Sequence, residues 1–252
     1  MRTIAIINHK GGCAKTTTAA NLGAALNDAG KRVLLIDADA QASLTNSLLS
    51  GPIQEERTLF PLLSGNAGRV EPYQVKPGLD LIPGCPALAT LIGIRNADAD
   101  NDAAQIIPAK LRHEMRLYSG YDYALIDCPP SLGILTLNAL IAADEAIITT
   151  TAEALPYAGL TDIFEIVEAA RPFQEDLRVS GILITRYNGR KLNKIVEDKL
   201  RAVYGPIVFN TRIRENIAIA EAPLFKLPIT DYAPGSNGAK DYRALADEII
   251  SR

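Results

Sequence analysis

Cysteine and histidine are scarce in this chain of 252 residues. It contains three cysteines, Cys13, Cys85 and Cys128, and two histidines, His9 and His113. The cysteines are scattered and form no C-x-x-C pair, which argues against a disulfide framework and against a zinc site. Two histidines leave little material for a histidine-based catalytic triad, and we interpret both as incidental to function.

Long hydrophobic runs are also missing. No stretch reaches about 18 consecutive apolar residues, so no membrane-spanning helix is expected. The N-terminus, MRTIAIIN, has neither the hydrophobic region nor the cleavage site of a signal peptide, and we therefore expect a cytoplasmic protein. Hydrophobic residues make up 48% of the chain and charged residues 22%, the composition of a globular protein with a substantial core.

Acidic residues are fewer than basic residues in the C-terminal part of the chain. The whole chain has a net charge of −3, but residues 178–252 carry 13 Lys/Arg against 8 Asp/Glu, whereas residues 1–177 carry 13 against 21. Such an asymmetry is typical of a local anion-binding face. A chance fluctuation over a solvated surface explains the charge alone equally well.

Short β-rich runs alternate with helical stretches along the chain. Nearly continuous apolar strands, each followed by a helix, predict a parallel sheet covered on both faces. We therefore expect an α/β fold with one doubly wound, mostly parallel sheet, in a single domain spanning residues 1–252. The predicted strands are 3–7, 33–37, 79–82, 123–127, 146–150 and 179–185, and the predicted helices are 15–29, 105–118, 131–142, 157–170, 191–203 and 239–250. The least regular segment, 51–78, is expected to form surface excursions or a specificity segment.

The stretch NHKGGCAKTTT, residues 8–18, lies between a predicted strand and a predicted helix. This is the setting of a phosphate-binding loop, but the usual pattern G-x-x-x-x-G-K-[ST] would place glycines where His9 and Ala14 stand. Gly11 and Gly12 still allow the backbone to approach a phosphate closely, and amides at a helix N-terminus attract anions. The alternative is a Gly-Gly turn before an ordinary helix.

Polar side chains for a triphosphate and its metal ion are present in the same region. Lys15 is placed to reach the terminal phosphates, and Thr16 to bind Mg²⁺ through its hydroxyl. Asp127 ends the strand YALID, and Asp37 and Asp39 follow an earlier strand. All three fall at the carboxyl edge of the predicted sheet, where ligands bind in such folds and a carboxylate can hold a metal-bound water.

Three motifs, KGGCAKT at 10–16, DADAQ at 37–41 and LIDCPP at 125–130, resemble those of the deviant Walker-A ATPases, the ParA/MinD/Soj superfamily. The loop of that family is K-G-G-x-x-K-[TS], so the missing glycines are a family property and Lys10 is its signature. Further stretches along nearly the whole chain, such as GILITRYNGRKLN, resemble the partition ATPases of the ParA/Soj branch. The resemblance implies a slow, partner-stimulated ATPase with ATP and Mg²⁺ as cofactors.

The resemblance also implies a homodimer that forms with ATP. Lys10 would reach the phosphates bound by the partner subunit, where a cation supplied in trans stabilises the charge that develops on the transferred phosphoryl group. The dimer would bind double-stranded DNA non-specifically, which would make the protein nucleoid-associated, and a ParB-type centromere-binding protein would stimulate hydrolysis. Stable membrane association is not expected.

Site residues are carried over from the family one by one. The implied catalytic residues are Lys10, Lys15 and Asp39. The implied nucleotide contacts are Lys10, Gly11, Gly12, Cys13, Ala14, Lys15, Thr16, Thr17, Glu153, Arg214 and Asn216. The implied metal contacts are Thr16 and, through water, Asp127 and Asp39.

The family also suggests what some of these residues do. Asp39 matches the switch aspartate that orients or activates the attacking water, and Asp37 would support it. Asn216 occupies the adenine-contacting position, and the neighbouring Arg214 would stack on the base. Glu153 matches a position near the nucleotide and the dimer contact.

Three residues near the loop bear on how closely the family pattern is kept. Ala14 replaces the usual glycine, so its methyl group is expected to crowd the phosphates slightly, and Ala40 replaces a proline, which is expected to loosen the switch segment. Cys13 lies beside a helix N-terminus, where the pKa of a thiol can be lowered. A redox role is conceivable for Cys13, but we expect only its backbone to take part.

Basic residues are concentrated between residues 186 and 214, with eight Lys/Arg against Glu197 and Asp198. Because few aromatic residues accompany them, we expect phosphate binding without base stacking and with steep salt dependence. The predicted DNA-binding residues are Arg186, Arg190, Lys191, Lys194 and Arg212. The arginine by which the family contacts DNA is here Glu215, and we expect the neighbouring arginines to compensate.

Other functions remain open. A MinD-like regulator would act at the membrane through a C-terminal amphipathic helix, but ALADEIISR carries Asp247 and Glu248 and offers no such tail. A redox relative such as nitrogenase iron protein would need a bridging cysteine pair, and Cys85 and Cys128 do not match the required positions. A non-enzymatic structural protein is disfavoured because the site residues are so complete.

Overall fold

The computed structural model of the chain describes residues 1–65, 68–93, 103–152 and 157–252. The strands in this part are β1 (Arg2–Ile7), β2 (Val33–Asp37), β3 (Tyr73–Lys76), β4 (Leu79–Ile82), β5 (Tyr123–Asp127), β6 (Glu145–Thr151), β7 (Arg178–Tyr187) and β8 (Val208–Arg214). The helices are α1 (Lys15–Asp28), α2 (Ser43–Leu48), α3 (Leu59–Ser64), α4 (Thr90–Gly93), α5 (Ala103–Met115), α6 (Ile134–Ala142), α7 (Tyr157–Ala170), α8 (Lys191–Tyr204), α9 (Ile217–Glu221), α10 (Ile229–Tyr232) and α11 (Asn237–Ser251). Short 3-10 turns lie at Glu55–Arg57, Pro86–Ala89, Gly205–Ile207 and Ala222–Phe225.

The eight strands of the described residues join one sheet in the order β3-β4-β2-β5-β1-β6-β7-β8. Neighbouring strands are parallel except for β3 and β4, which are antiparallel. The predicted doubly wound, mostly parallel sheet is therefore confirmed. The register places Asp37 beside Asp127, at the carboxyl ends of β2 and β5.

Side chains of the central strand β1 alternate between two apolar cores. Ile4 and Ile6 pack with residues of α1 and α11, whereas Ala5 and Ile7 pack with residues of α6 and α7. Because both faces of the strand are covered, its sequence is apolar throughout rather than alternating. This explains why the central strands could be recognised from composition alone.

The structure contains elements that the sequence did not predict. The segment 51–78 includes the short helix α3 and the antiparallel strand β3, rather than surface excursions alone. Residues Val208–Arg214, at the end of the basic stretch, form strand β8. Helix α6 begins at Ile134, three residues later than expected, after the turn that follows Asp127.

Strand β8 lies at one edge of the sheet, and side chains cover its backbone. The carboxylate of Glu248 in α11 accepts hydrogen bonds from the N–H groups of Asn210 and Thr211, both at 2.9 Å. The guanidinium of Arg201 in α8 donates to the carbonyl oxygens of Val208 and Phe209. Helices on both sides thus satisfy backbone groups that an edge strand otherwise exposes.

Candidate active site

The loop between β1 and α1 adopts a conformation suited to anion binding. Gly12 has φ 75°, and Ala14, the residue that caps α1, has φ 63° and ψ 30°. Both angles lie in the left-handed region, which glycine enters freely and alanine only at a steric cost. The amide groups of the first turn of α1 remain available to a ligand, because no side chain caps the helix.

The two lysines of the loop have different environments. Lys15 is 7% exposed, and its Nζ lies 3.5 Å from the carbonyl oxygen of Lys10. The side chain of Lys10 is exposed and, among the described residues, forms no hydrogen bond or ion pair. Lys15 is therefore enclosed in the loop of its own chain, whereas the Lys10 side chain is available to contact another molecule.

Asn8, which the sequence did not single out, holds the start of the loop. Its Oδ1 accepts a hydrogen bond from the N–H of Lys10 at 2.8 Å, and its Nδ2 donates to the carbonyl oxygen of Thr149 in β6. The side chain is buried. Asn8 therefore connects the part of the loop that contains Lys10 to the neighbouring strand β6.

Asp127 is a buried carboxylate without a protein partner. It is fully buried, and neither of its oxygens accepts a hydrogen bond from the described residues. Buried polar atoms are nearly always satisfied, so this carboxylate fits a site completed by a hydrated cation. Because no cluster of three or more His, Cys, Asp or Glu side chains occurs in the described part, such a cation would also depend on Thr16 and on phosphate oxygens.

The electrostatics of the two buried aspartates show what a cation beside them would change. Burial raises the pKa of Asp127 well above its ordinary value, and the carboxylate of Asp37 raises it further, whereas Thr16 and Lys15 lower it. Burial also raises the pKa of Asp37 to about 6, against the effect of hydrogen bonds from Thr45. A divalent cation beside these groups would favour their ionised forms.

Asp37 organises the segment that follows β2. Its Oδ2 accepts hydrogen bonds from the N–H and the hydroxyl of Thr45, at 2.8 and 2.7 Å, and its Oδ1 accepts the N–H of Asp39 at 3.2 Å. Gly84 donates its N–H to the Thr45 hydroxyl, and a Cβ at Gly84 would lie 2.7 Å from the carbonyl oxygen of Asp39. Thr45 and Gly84, which sequence analysis missed, therefore help to position Asp39, which is half-buried.

A pocket of about 470 Å³ opens between the phosphate-binding loop and the C-terminal part of the chain. Asn216 lies at the wall of this pocket and caps α9, because its Oδ1 accepts a hydrogen bond from the N–H of Ala218. The Nδ2 of Asn216 remains available to donate a hydrogen bond to a ligand. The guanidinium of Arg214 borders the pocket but donates to both carboxylate oxygens of Asp241. The pocket is lined by Gly12, Ala14, Thr17, Thr185, Arg186, Ile213, Arg214, Glu215, Asn216, Ile217, Ile219, Ala220, Pro223 and Tyr242.

Of the predicted nucleotide contacts, Glu153 lies outside the described residues. Cys13 is buried, and burial raises the pKa of its thiol, although Lys15 and Lys10 oppose the rise. Loss of hydration outweighs the nearby positive charge, so the lowering of a thiol pKa that a helix N-terminus can cause does not occur at Cys13, in line with a role for its backbone alone.

The predicted DNA-binding residues fall into two groups. Arg190, Lys191 and Lys194, at the beginning of α8, are exposed and form no ion pair within the described residues. Arg212 instead pairs with the buried Glu197 at 2.5 Å and stacks on the ring of Tyr187. Arg186 also stands apart from α8, because it borders the pocket described above.

The sheet order, the loop before α1 and the aspartates at the strand ends define a P-loop nucleotide-hydrolysing protein of the doubly wound α/β class. A family model described as an AAA domain matches residues 1–179. Chromosome-partitioning ATPase Soj from Thermus thermophilus is 41% identical over 256 residues, which covers 100% of this chain and 96% of that protein. Chromosome partitioning protein ParA from Caulobacter vibrioides is 38% identical over 257 residues, covering 100% and 95%.

Solved structures of similar fold carry nucleotides. Cobyrinic acid a,c-diamide synthase from Mycobacterium smegmatis with bound ADP and magnesium matches with a TM-score of 0.81 and 31% identity, covering 99% of this chain and 94% of that chain. The septum site-determining protein MinD from Pyrococcus horikoshii, complexed with Mg-ADP, matches with a TM-score of 0.75 and 28% identity, covering 98% and 95%. Together with the sequence matches, they show that the chain belongs to the ParA/Soj family of deviant Walker-A ATPases and is an ATP-hydrolysing enzyme.

In the part of the chain that the structure describes, no helix is long and apolar enough to cross a bilayer.

Proposed function

We propose that the protein is a DNA-partition ATPase in which ATP binding joins two copies of the chain, the dimer binds DNA without sequence preference, and hydrolysis separates the copies. ATP and Mg²⁺ are its cofactors, as the nucleotide-bound relatives support. The observation that carries the proposal is the contrast between the enclosed Lys15 and the exposed, unpaired Lys10 in one loop.

Each group at the phosphate site has a distinct task. The amides of the loop and Lys15 bind the phosphates, and Asp39 orients the water that attacks the terminal phosphoryl group. Thr16 and, through water, Asp127 and Asp39 would hold Mg²⁺, which would supply positive charge to the phosphate oxygens. Lys10 of each copy stabilises the triphosphate bound by the other, so ADP, which lacks the terminal phosphate, would not hold the dimer together.

The 470 Å³ pocket, here called the base pocket because we propose that it holds the adenine base, has exposed apolar side chains beside it that support association of two copies on this side of the molecule. Ile217, Leu224 and Phe225 are 78%, 79% and 60% exposed. They lie in or directly after α9, the helix that lines the pocket. Exposed large apolar side chains that cluster in this way are typical of interaction sites.

DNA binding would use the exposed cations of α8. Arg190, Lys191 and Lys194 form a group near the N-terminus of this helix, and contacts from such side chains to phosphates are independent of base sequence. Nucleoid association in the cytoplasm follows from this mode of binding. A ParB-type centromere-binding protein would stimulate the slow hydrolysis and release the protein from DNA.

Solution size with different nucleotides tests the central step. With Mg²⁺ and a non-hydrolysable ATP analogue, the wild-type protein should be a dimer, and with ADP a monomer. Lys10→Ala should bind the analogue but remain monomeric, Lys15→Ala should lose nucleotide binding, and Asp39→Ala should accumulate as an ATP-bound dimer. Lys240→Ala, an exposed lysine of α11, is the matched control. A Lys10→Ala protein that dimerises normally would contradict the proposal.

A further inference from the structure

We propose that Lys226 is a positioning residue that fastens α2, the helix following Asp37 and Asp39, to the segment that lines the base pocket. The inference rests on the function proposed above, because it takes Asp39 as the residue that orients the attacking water. Lys226 would act on hydrolysis through α2 and not through contact with the nucleotide. Three observations carry it: a strained backbone, a side-chain hydrogen bond and a shared pocket wall.

The backbone of Lys226 adopts a conformation that favours glycine. Its φ is 58° and its ψ 35°, at the end of the turn Ala222–Phe225. The N–H of Lys226 donates to the carbonyl oxygen of Pro223 at 3.1 Å, and that of Leu227 to Ala222 at 3.3 Å, the way in which a left-handed residue closes a helical end. Glycine fills such a position without steric cost, so a lysine there suggests a use for its side chain.

The side chain of Lys226 connects two segments that are distant in sequence. Its Nζ donates a hydrogen bond to the carbonyl oxygen of Asn46, in the last turn of α2. Carbonyl groups at a helix C-terminus lack intrahelical donors and carry partial negative charge, so an ammonium group is a favourable partner. Since Thr45 of the same helix is bound to Asp37, α2 is held both by the end of β2 and by the turn that carries Lys226.

The turn that carries Lys226 also borders the base pocket. Pro223 lines the 470 Å³ pocket together with Asn216. It also lines a second, small cleft together with Thr16 of α1 and Leu48 of α2. A base that fills the pocket would therefore stabilise the turn. Because Lys226 joins the turn to α2, a stabilised turn would also hold α2 in place. The consequence is a switch segment that is aligned for hydrolysis when the base is bound.

Three substitutions separate the hydrogen bond from the backbone strain. Lys226→Met removes the donor and keeps the apolar stem, Lys226→Arg retains a donor, and Lys226→Gly removes the donor but relieves the left-handed strain. Initial rates of ATP hydrolysis give kcat and KM, and thermal unfolding gives stability. We expect kcat to fall about fivefold in the Met and Gly variants, with KM changed by less than about twofold, and to be retained in the Arg variant.

Stability and turnover should change in opposite directions in Lys226→Gly. This variant should melt at a higher temperature than the wild type while hydrolysing ATP more slowly, a combination that a purely structural role does not produce. Wild-type kcat in Lys226→Gly or Lys226→Met would overturn the inference. Asp39→Ala, measured in parallel, keeps the two proposals apart: if it hydrolyses ATP normally, the proposed role of Asp39 fails, whereas normal turnover in the Lys226 variants alone refutes only the link through α2.

Discussion

Arg214 and Asp241 are joined through both backbone and side chain. The N–H of Arg214 donates to Oδ2 of Asp241 at 2.9 Å, and its guanidinium donates to both carboxylate oxygens, with the shortest distance 2.6 Å. Arg214 borders the 470 Å³ pocket on one side and, on the other, a pocket of about 350 Å³ that includes Tyr187 and Arg212. Asp241 therefore fixes the wall between these two pockets.

Replacing Asp241 should weaken both stability and nucleotide binding. Asp241→Ala leaves the Arg214 guanidinium without its partner and uncovers a backbone N–H at the sheet edge. We expect a loss of about 1–2 kcal/mol in the free energy of unfolding and a higher KM for ATP, because the pocket wall is no longer held. Urea denaturation and hydrolysis kinetics check this. Asp247→Ala, on the exposed side of the same helix, should change neither the free energy of unfolding nor the KM for ATP.

Relieving the strain at Ala14 should stabilise the protein. Ala14→Gly places glycine at φ 63°, and we expect the free energy of unfolding to rise by about 1 kcal/mol. Ala24→Gly, within the right-handed part of α1, should instead lower it by at least about 1 kcal/mol. Denaturant midpoints of both variants provide the measurement. Destabilisation by Ala14→Gly would mean that the methyl group contributes packing that exceeds the strain.

Removal of single positive charges should distinguish the two groups of basic residues. Arg190→Ala and Lys194→Ala should each weaken ATP-dependent binding to random duplex DNA and lower the slope of log affinity against log salt by about one. Arg212→Ala should affect DNA binding less and stability more, because Arg212 neutralises the buried Glu197. Gel retardation at several salt concentrations and urea unfolding give both quantities. Equal DNA defects in Arg212→Ala and Arg190→Ala would argue against this division.

Glu145 should make stability depend on acidic pH. Burial would raise the pKa of this carboxyl, but the ion pairs with Arg2 and Arg178 outweigh it and hold the pKa below its ordinary value of 4.5. The stabilisation is therefore complete above pH 4.5 and is lost as the pH falls through the lowered folded-state pKa. Glu145→Gln should cost about 1–3 kcal/mol at pH 7 and should unfold with a weaker pH dependence below pH 5. Glu168→Gln, at an exposed pair, should behave as the wild type.

Much of the fold could be predicted because its central strands are buried on both faces. The apolar runs of β1, β2 and β5 could be recognised without knowing their neighbours. Strand β8 could not, because VFNTRIR is an edge strand whose exposed positions carry the polar side chain of Asn210 and the charged side chains of Arg212 and Arg214. Strand β3 was missed for a similar reason, since its four residues lie at the other edge and none is buried.

The site could be predicted in part for a corresponding reason. The phosphate-binding loop is a contiguous motif, and the strand-end aspartates follow from the sheet rule. The residues that hold these groups in place could not be predicted, because their partners are distant: Asn8 binds the Thr149 carbonyl 141 residues away, and Lys226 binds that of Asn46 180 residues away. No local pattern encodes such pairs.

The covered edge of β8 limits how copies of this chain can assemble. Glu248 occupies the amides of Asn210 and Thr211, and Arg201 occupies the carbonyls of Val208 and Phe209, so an incoming strand would have to displace charged side chains before it could pair. Growth of a continuous sheet from molecule to molecule is therefore blocked at this end. Any oligomer that uses this side must therefore form through side-chain contacts.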